Sequence, residues 1–211
     1  MIHVILCDDH ALLRRGIRDT LADAPDIRVV GEAGDYGELR TLMRTQACDV
    51  LVLDINLPGR SGLDVLAALK DEGADVKVLI VSMYPEDQYA MRALRAGAAG
   101  YVNKGGDPQQ IVQAVRTVAQ GRKHITPVVA EILANNVTAP VSENPHEQLS
   151  DREMQTLRMI ASGKKLSEIA AELALSPKTV SVYRARVLDK IKLKNNAELT
   201  VYAIRNGLVG D

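Results

Sequence analysis

The sequence predicts two folds in tandem: an α/β domain on a doubly wound, five-stranded parallel sheet, then an all-helical domain. Three observations carry this. Five short apolar runs alternate with amphipathic stretches over the first 120 residues. A polar segment with two prolines, TAPVSENPHEQ (138–148), then interrupts the pattern. Beyond it every periodic stretch has helical spacing, and the charge changes sign. Residues 1–148 hold 15 Lys+Arg against 20 Asp+Glu, net −5; residues 149–211 hold 11 against 7, net +4. An acidic front and a basic tail point to two domains with different partners.

The strand-like runs are IHVILC (2–7), IRVVGEA (27–33), DVLVLD (49–54), VKVLIVS ending at Ser82, and GYVN (100–103). Helical patterns lie between and after them, near 10–23, 35–46, 61–71, 86–96 and 107–120. Alternation of this kind builds βαβ units. Right-handed crossovers then put helices on both faces, which suits strands that are apolar almost throughout. TPVVAEILANNV (126–137) reads as one more short helix before the linker. In the tail, Ser150 and Glu153 make a capping box, Gly163 ends that helix, and Ser176–Pro177 starts another.

Composition narrows the function. Aromatics are 3% of the chain, with no Phe or Trp, which argues against base-stacking platforms on aromatic sheets. No apolar run approaches the roughly 18 residues of a membrane span. The N-terminus lacks the order of a signal peptide. Cys7 and Cys48 sit in apolar runs and read as reduced, buried thiols, which with the rest places the protein in the cytoplasm, away from membranes. The four histidines, His3, His10, His124 and His146, show no metal-ligand spacing.

Doubly wound sheets gather ligands at the carboxyl ends of their strands. Asp8 and Asp9 follow the first strand, Asp54 ends the third, Ser82 ends the fourth, and Lys104 follows the fifth. Carboxylates crowded in one crevice repel unless a cation sits among them. Hard oxygen ligands in an open geometry suit Mg²⁺, with the backbone carbonyl of Asn56 as a further ligand. A carboxylate can also attack phosphorus and form an aspartyl phosphate. The metal and a lysine then offset charge on the transferred group, and a hydroxyl reports it. Asp54, Mg²⁺, Lys104 and Ser82 fill these roles. A hydrolase with an aspartyl nucleophile, of the haloacid dehalogenase type, fits less well. Ile55 and Asn56 follow Asp54 where such enzymes show Asp-x-Asp, and the length leaves no room for a cap domain.

The motifs DDH (8–10), LDINLPGRSGLDVL (53–66), VSMYPED (81–87) and RAGAAGYVNK (95–104) resemble the receiver domain of bacterial two-component response regulators. The resemblance spans residues 1–122 and implies a flavodoxin-like fold. It implies Asp54 as phosphoacceptor, Asp8 and Asp9 as Mg²⁺ ligands, Ser82 as switch hydroxyl, Tyr101 as switch aromatic and Lys104 as the phosphate-pairing lysine. Residues 123–148 are then a short helix and linker.

In the tail, Leu166, Ile169, Ala170 and Leu173 share one helical face. After the turn through Ser176, Val180, Val187, Leu188 and Ile191 face a core, and Lys178, Ser181, Val182 and Ala185 face outward. Residues 176–194 hold six Lys+Arg and one Asp. Two helices on a tight turn, the second basic and capped, form a helix-turn-helix whose second helix fits the major groove of double-stranded DNA. LSDREMQTLRMIASGKKLSEIAAELALSPKTVSVY and NNAELTVYAIRNGL resemble the four-helix DNA-binding domain of the LuxR/NarL type over residues 149–208, within a domain of residues 149–211. That implies Lys178, Ser181 and Val182 at bases or nearby phosphates, and Thr179, Tyr183, Arg184 and Arg186 at phosphates. Tyr183 replaces the family's common histidine. Ser181 and Ala185 are small where relatives carry long polar side chains. Together the resemblances imply a transcription factor, not an enzyme. They further imply phosphorylation by a sensor histidine kinase and dimerisation on activation, and they allow RNA polymerase as a partner.

Overall fold

The five apolar runs form one parallel sheet in the order β2-β1-β3-β4-β5. The structure, a computed structural model, describes residues 1–138 and 144–209. Its strands are β1 (Ile2–Cys7), β2 (Ile27–Ala33), β3 (Val50–Asp54), β4 (Lys77–Ser82) and β5 (Gly100–Asn103). Between and after them run α1 (Ala11–Ala22), α2 (Tyr36–Thr45), α3 (Gly62–Asp71), α4 (Glu86–Ala96) and α5 (Gln109–Ala119). Strand order reverses between β1 and β3, so a crevice opens at their carboxyl ends.

The side-chain period of two sorts each strand into two cores. Ile5, Cys7, Leu51, Leu53 and Ile80 pack with Leu39, Leu63, Leu66, Ala90 and Ala93 from α2, α3 and α4. Val4, Leu6, Val50, Val52, Leu79 and Val81 pack with Ile17, Leu21, Ile111 and Val115 from α1 and α5. Local signals set the helix ends. Asp35 and Ser61 accept the N–H groups of Glu38 and Asp64 as N-caps of α2 and α3. Gly97 ends α4 with φ +111° in the left-handed region.

Contacts divide the chain into residues 1–139 and 140–211. Helix α6 (Pro127–Thr138), which the sequence groups with the linker, falls in the first unit. Val129 and Leu133, one turn apart, pack into the core that α4 also lines. Thr126 caps this helix by accepting the Val129 N–H, and its hydroxyl donates to the Glu86 carboxylate at the start of α4. His124 bridges to Gly100 and adds one residue of pairing at the β5 edge. Of the sequence-predicted linker, residues 139–143 lie outside the described residues.

The second unit begins with a 3₁₀ turn (Pro145–Gln148), followed by α7 (Asp151–Ala161), α8 (Leu166–Glu172), α9 (Pro177–Ile191) and α10 (Asn196–Arg205). The capping box is present: Ser150 N–H donates to Glu153 at 2.7 Å, and Glu153 N–H donates to Ser150 Oγ at 3.4 Å. Leu157, Ile160, Ile169, Leu173, Val180, Val187, Leu188, Ile191, Leu199 and Ala203 form its aliphatic core. The turn from α8 to α9 passes through Ala174 at φ +52°.

Candidate functional site

Each strand end delivers one part of the site. β1 runs into Asp8 and Asp9, and β3 ends on Asp54. β5 leads into Lys104, whose backbone N–H donates to the Ser82 carbonyl at 2.8 Å and ties it to the end of β4. The Lys104 ammonium lies between two carboxylates, 2.7 Å from Asp8 Oδ2 and 2.8 Å from Asp54 Oδ2. All three side chains are buried, at 3–4% exposure, so their attraction is little screened by water.

Two carboxylates around one lysine, with Asp9 beside them, leave excess negative charge. Burial pushes the Asp54 carboxyl up to about 6, and the Asp8 charge adds to this. The Lys104 ammonium and the Asn56 backbone N–H act in the opposite direction. Oxygens of Asp8, Asp9 and Asp54 and a nitrogen of His10 all lie within 4.8 Å of one another. Three hard oxygen donors at this spacing fit a divalent cation such as Mg²⁺.

Sequence reasoning missed three supports of this crevice. His10 has no ligand spacing, yet its Nδ1 lies 2.7 Å from Asp9 Oδ1 and its N–H donates to Asp8 Oδ1 at 2.8 Å. Arg14 donates to the Asp8 carbonyl and pairs with Glu32 at 3.2 Å. Gly62 starts α3 against the end of β3: a Cβ there would lie 2.1 Å from the Asp54 carbonyl oxygen. DDH and the second glycine in LPGRSG were the signals available for two of these. Nothing in the sequence ties Arg14 to Asp8.

Ser82 is fully buried, and its Oγ accepts the Tyr84 N–H at 3.2 Å. Tyr101 is buried and donates to the Tyr84 carbonyl at 2.7 Å. Cys7 lies beneath the site. Burial, and then the charges of Asp54 and Asp8, push its thiol up to about 12, which keeps it protonated and inert.

In the second unit, α9 turns Lys178, Ser181, Val182, Ala185 and Arg186 to solvent. Val182, an aliphatic side chain on this face, is 44% exposed. Thr179 is engaged in the helix cap, its hydroxyl 2.8 Å from that of Ser176. Arg184 Nε donates to Asn196 Oδ1 at 2.6 Å, and Tyr183 is half-buried. The sequence-predicted DNA residues therefore separate into an open face and a set already held by protein.

Comparison with known proteins agrees with both units. Residues 4–116 match the response regulator receiver domain, and residues 147–203 match the bacterial regulatory proteins of the luxR family. The response regulator UvrY of Escherichia coli is 41% identical over 209 residues, 99% of this chain and 96% of that protein. The response regulator GacA of Pseudomonas aeruginosa is 39% identical over 210 residues, 99% and 98% of the two chains. Among solved structures, the response regulator ChrA of a heme-sensing two-component system superposes with a TM-score of 0.53. It is 32% identical and covers 98% of each chain. RcsB from Salmonella enterica serovar Typhimurium, bound to a promoter in the presence of the phosphomimetic BeF₃⁻, gives a TM-score of 0.64. It is 25% identical, covering 95% of this chain and 97% of that one. Fold, site and relatives converge: the chain belongs to the two-component response regulators that join a receiver domain to a LuxR-type DNA-binding domain, a family of transcription factors rather than enzymes.

Proposed function

We propose that Asp54 accepts a phosphoryl group from the histidine of a sensor kinase, and that this controls dimerisation and sequence-specific binding to double-stranded DNA. The observation that carries the reading is the Lys104 ammonium, buried between Asp8 and Asp54 at 2.7 and 2.8 Å. An Asp54 oxygen attacks phosphorus as the bond to the kinase imidazole breaks, and the departing ring nitrogen takes a proton from water. Lys104 then exchanges its Asp54 contact for a phosphoryl oxygen. Asp8, Asp9, Asp54 and the Asn56 carbonyl would hold Mg²⁺, which when bound offsets the charge of the transferred group. Ser82 turns its hydroxyl to the new oxygens, and Tyr101 responds in the loop it already touches.

A cavity of about 210 Å³ between α1 and α5 supports kinase docking beside the site. Leu12, Leu13, Ile17, Pro108, Ile111 and Lys104 line it. Leu12 is 83% exposed, an apolar anchor for a partner helix. On DNA, Lys178, Ser181 and Val182 meet base edges, with the Val182 methyls suited to a thymine methyl. Thr179, Tyr183, Arg184 and Arg186 serve the phosphates, Arg184 after leaving Asn196. A homodimer places two such helices at half-sites about one DNA turn apart, and RNA polymerase is the partner that would read out binding. Among the described residues no helix is long and apolar enough to cross a membrane. A cytoplasmic site of action fits the DNA target.

Intact mass tests the phosphoacceptor. After acetyl phosphate and Mg²⁺, the protein gains one phosphoryl group. Asp54→Ala gains none, and neither does wild type in chelator. A gain that persists in Asp54→Ala would place the acceptor elsewhere.

A further inference from the structure

Two of the three carboxylates in the crevice are held by Lys104, whose ammonium reaches Asp8 and Asp54. The third is held differently. The Asp9 side chain is 35% exposed, and its one ion pair or hydrogen bond among the described residues is with His10. Nδ1 of that ring lies 2.7 Å from Asp9 Oδ1 and 3.6 Å from Asp8 Oδ1. An ionised carboxylate only accepts, so Nδ1 carries a proton and donates it to Asp9. The backbone N–H of the same residue donates to Asp8 Oδ1 at 2.8 Å. His10 therefore touches both members of the acidic pair, one by its backbone and one by its ring.

The place of His10 in the chain gives this contact weight. It is the N-cap of α1, where Ser, Thr, Asp and Asn are favoured because their side chains bond the first helical N–H groups. The imidazole makes no such bond. It turns back to the acidic pair instead, although the ring is 59% exposed and little packing holds it there. An exposed carboxylate must give up rotamer freedom before it can ligate a cation. A donor on one oxygen removes that freedom beforehand and leaves the other oxygen for the metal. Ligating carboxylates are commonly oriented by such outer hydrogen bonds.

We infer that His10 is a positioning residue of the metal site: its Nδ1–H fixes the Asp9 carboxylate, so that a divalent cation meets a third oxygen ligand already oriented. This rests on the reading of Asp8, Asp9 and Asp54 as the Mg²⁺ site. His10 is not a ligand itself and acts through Asp9. Its ring caps nothing, so replacing it leaves α1 in place.

The test titrates Mg²⁺, and separately Zn²⁺, into isotope-labelled full-length protein and follows the amide resonances around Asp54. Wild type is compared with His10→Phe, His10→Asn, Asp9→Ala and the double variant Asp9→Ala/His10→Phe. His10→Phe keeps a ring without the donor and binds Mg²⁺ about ten-fold more weakly. His10→Asn offers an amide N–H at the place of Nδ1 and loses less. In the Asp9→Ala background His10→Phe costs nothing further, because the group it positions is gone. Unchanged Mg²⁺ affinity in folded His10→Phe overturns the inference while the metal site stands. Equal losses in His10→Phe and His10→Asn, or equal losses from His10→Phe with and without Asp9, do the same. A ring that ligated the ion directly would make His10→Phe cost Zn²⁺ far more than Mg²⁺, since imidazole suits zinc, and that result also overturns it. Wild type that binds no Mg²⁺ near Asp54 overturns both the inference and the reading beneath it.

Discussion

At the scale of single residues, the site holds charges that water would solvate better. Burial raises the Asp54 carboxyl to about 6, from an ordinary value of 3.8. A carboxyl with a raised folded-state pKa favours folding at low pH. That contribution fades as pH rises through about 6, so at neutral pH the ionised group costs stability. Replacing it should therefore help the fold while ending phosphorylation. Asp54→Asn is expected to be more stable than wild type at pH 7.5 in chelator, by on the order of 1–3 kcal/mol. The gap closes by pH 4, where both side chains are neutral. Thermal melts across that range check it, and an Asp54→Asn variant that melts lower at pH 7.5 refutes the charge-strain account. Mg²⁺ should raise the wild-type melting temperature and leave the variant nearly unchanged, because a ligand stabilises only the form that binds it.

At the scale of elements, legibility followed the range of the interaction. The five strands were readable because each is a short apolar run closed by a turn signal, and their ends fell where the sequence put them. The carboxylates and Lys104 were readable for the same reason: a residue at a strand end inherits its place from the sheet. Arg14 and His10 were not. Arg14 bonds the Asp8 backbone carbonyl and His10 meets the Asp8 and Asp9 carboxylates, contacts set by loop geometry, which no periodicity encodes. Helix α6 is the intermediate case. TPVVAEILANNV announces a helix, but nothing in it names α4 as neighbour. Val129 is buried, Leu133 packs beside it, and Thr126 bonds Glu86. These contacts make α6 part of the first unit's stability. A fragment of residues 1–138 should therefore melt several degrees above one ending at residue 122, since a buried Val or Leu side chain is worth about 1.5–3 kcal/mol. Equal melting temperatures would mean that α6 adds nothing to the receiver.

At the scale of the whole molecule, the two halves carry opposite charge, −5 before residue 149 and +4 after it. The positive excess is concentrated on residues 176–194, with six basic residues and one acidic. DNA affinity governed by such a segment falls linearly with log salt, at a slope of about 0.9 per phosphate neutralised. That slope counts engaged recognition helices. One protomer on DNA uses one set of phosphate contacts, and a phosphate-induced dimer uses two. On a duplex with two half-sites about one turn apart, BeF₃⁻ with Mg²⁺ should therefore roughly double the slope. Asp54→Ala should keep the single-protomer value. Arg186→Ala, on the exposed face of α9, should lower the slope by about one per protomer. Val182→Ala should leave the slope alone and weaken only the preferred sequence, by about 1 kcal/mol. A BeF₃⁻ effect that raises affinity at constant slope would mean that phosphate uncovers a helix already present, without recruiting a second protomer. Titrations at four or five salt concentrations distinguish these two routes from phosphate to DNA.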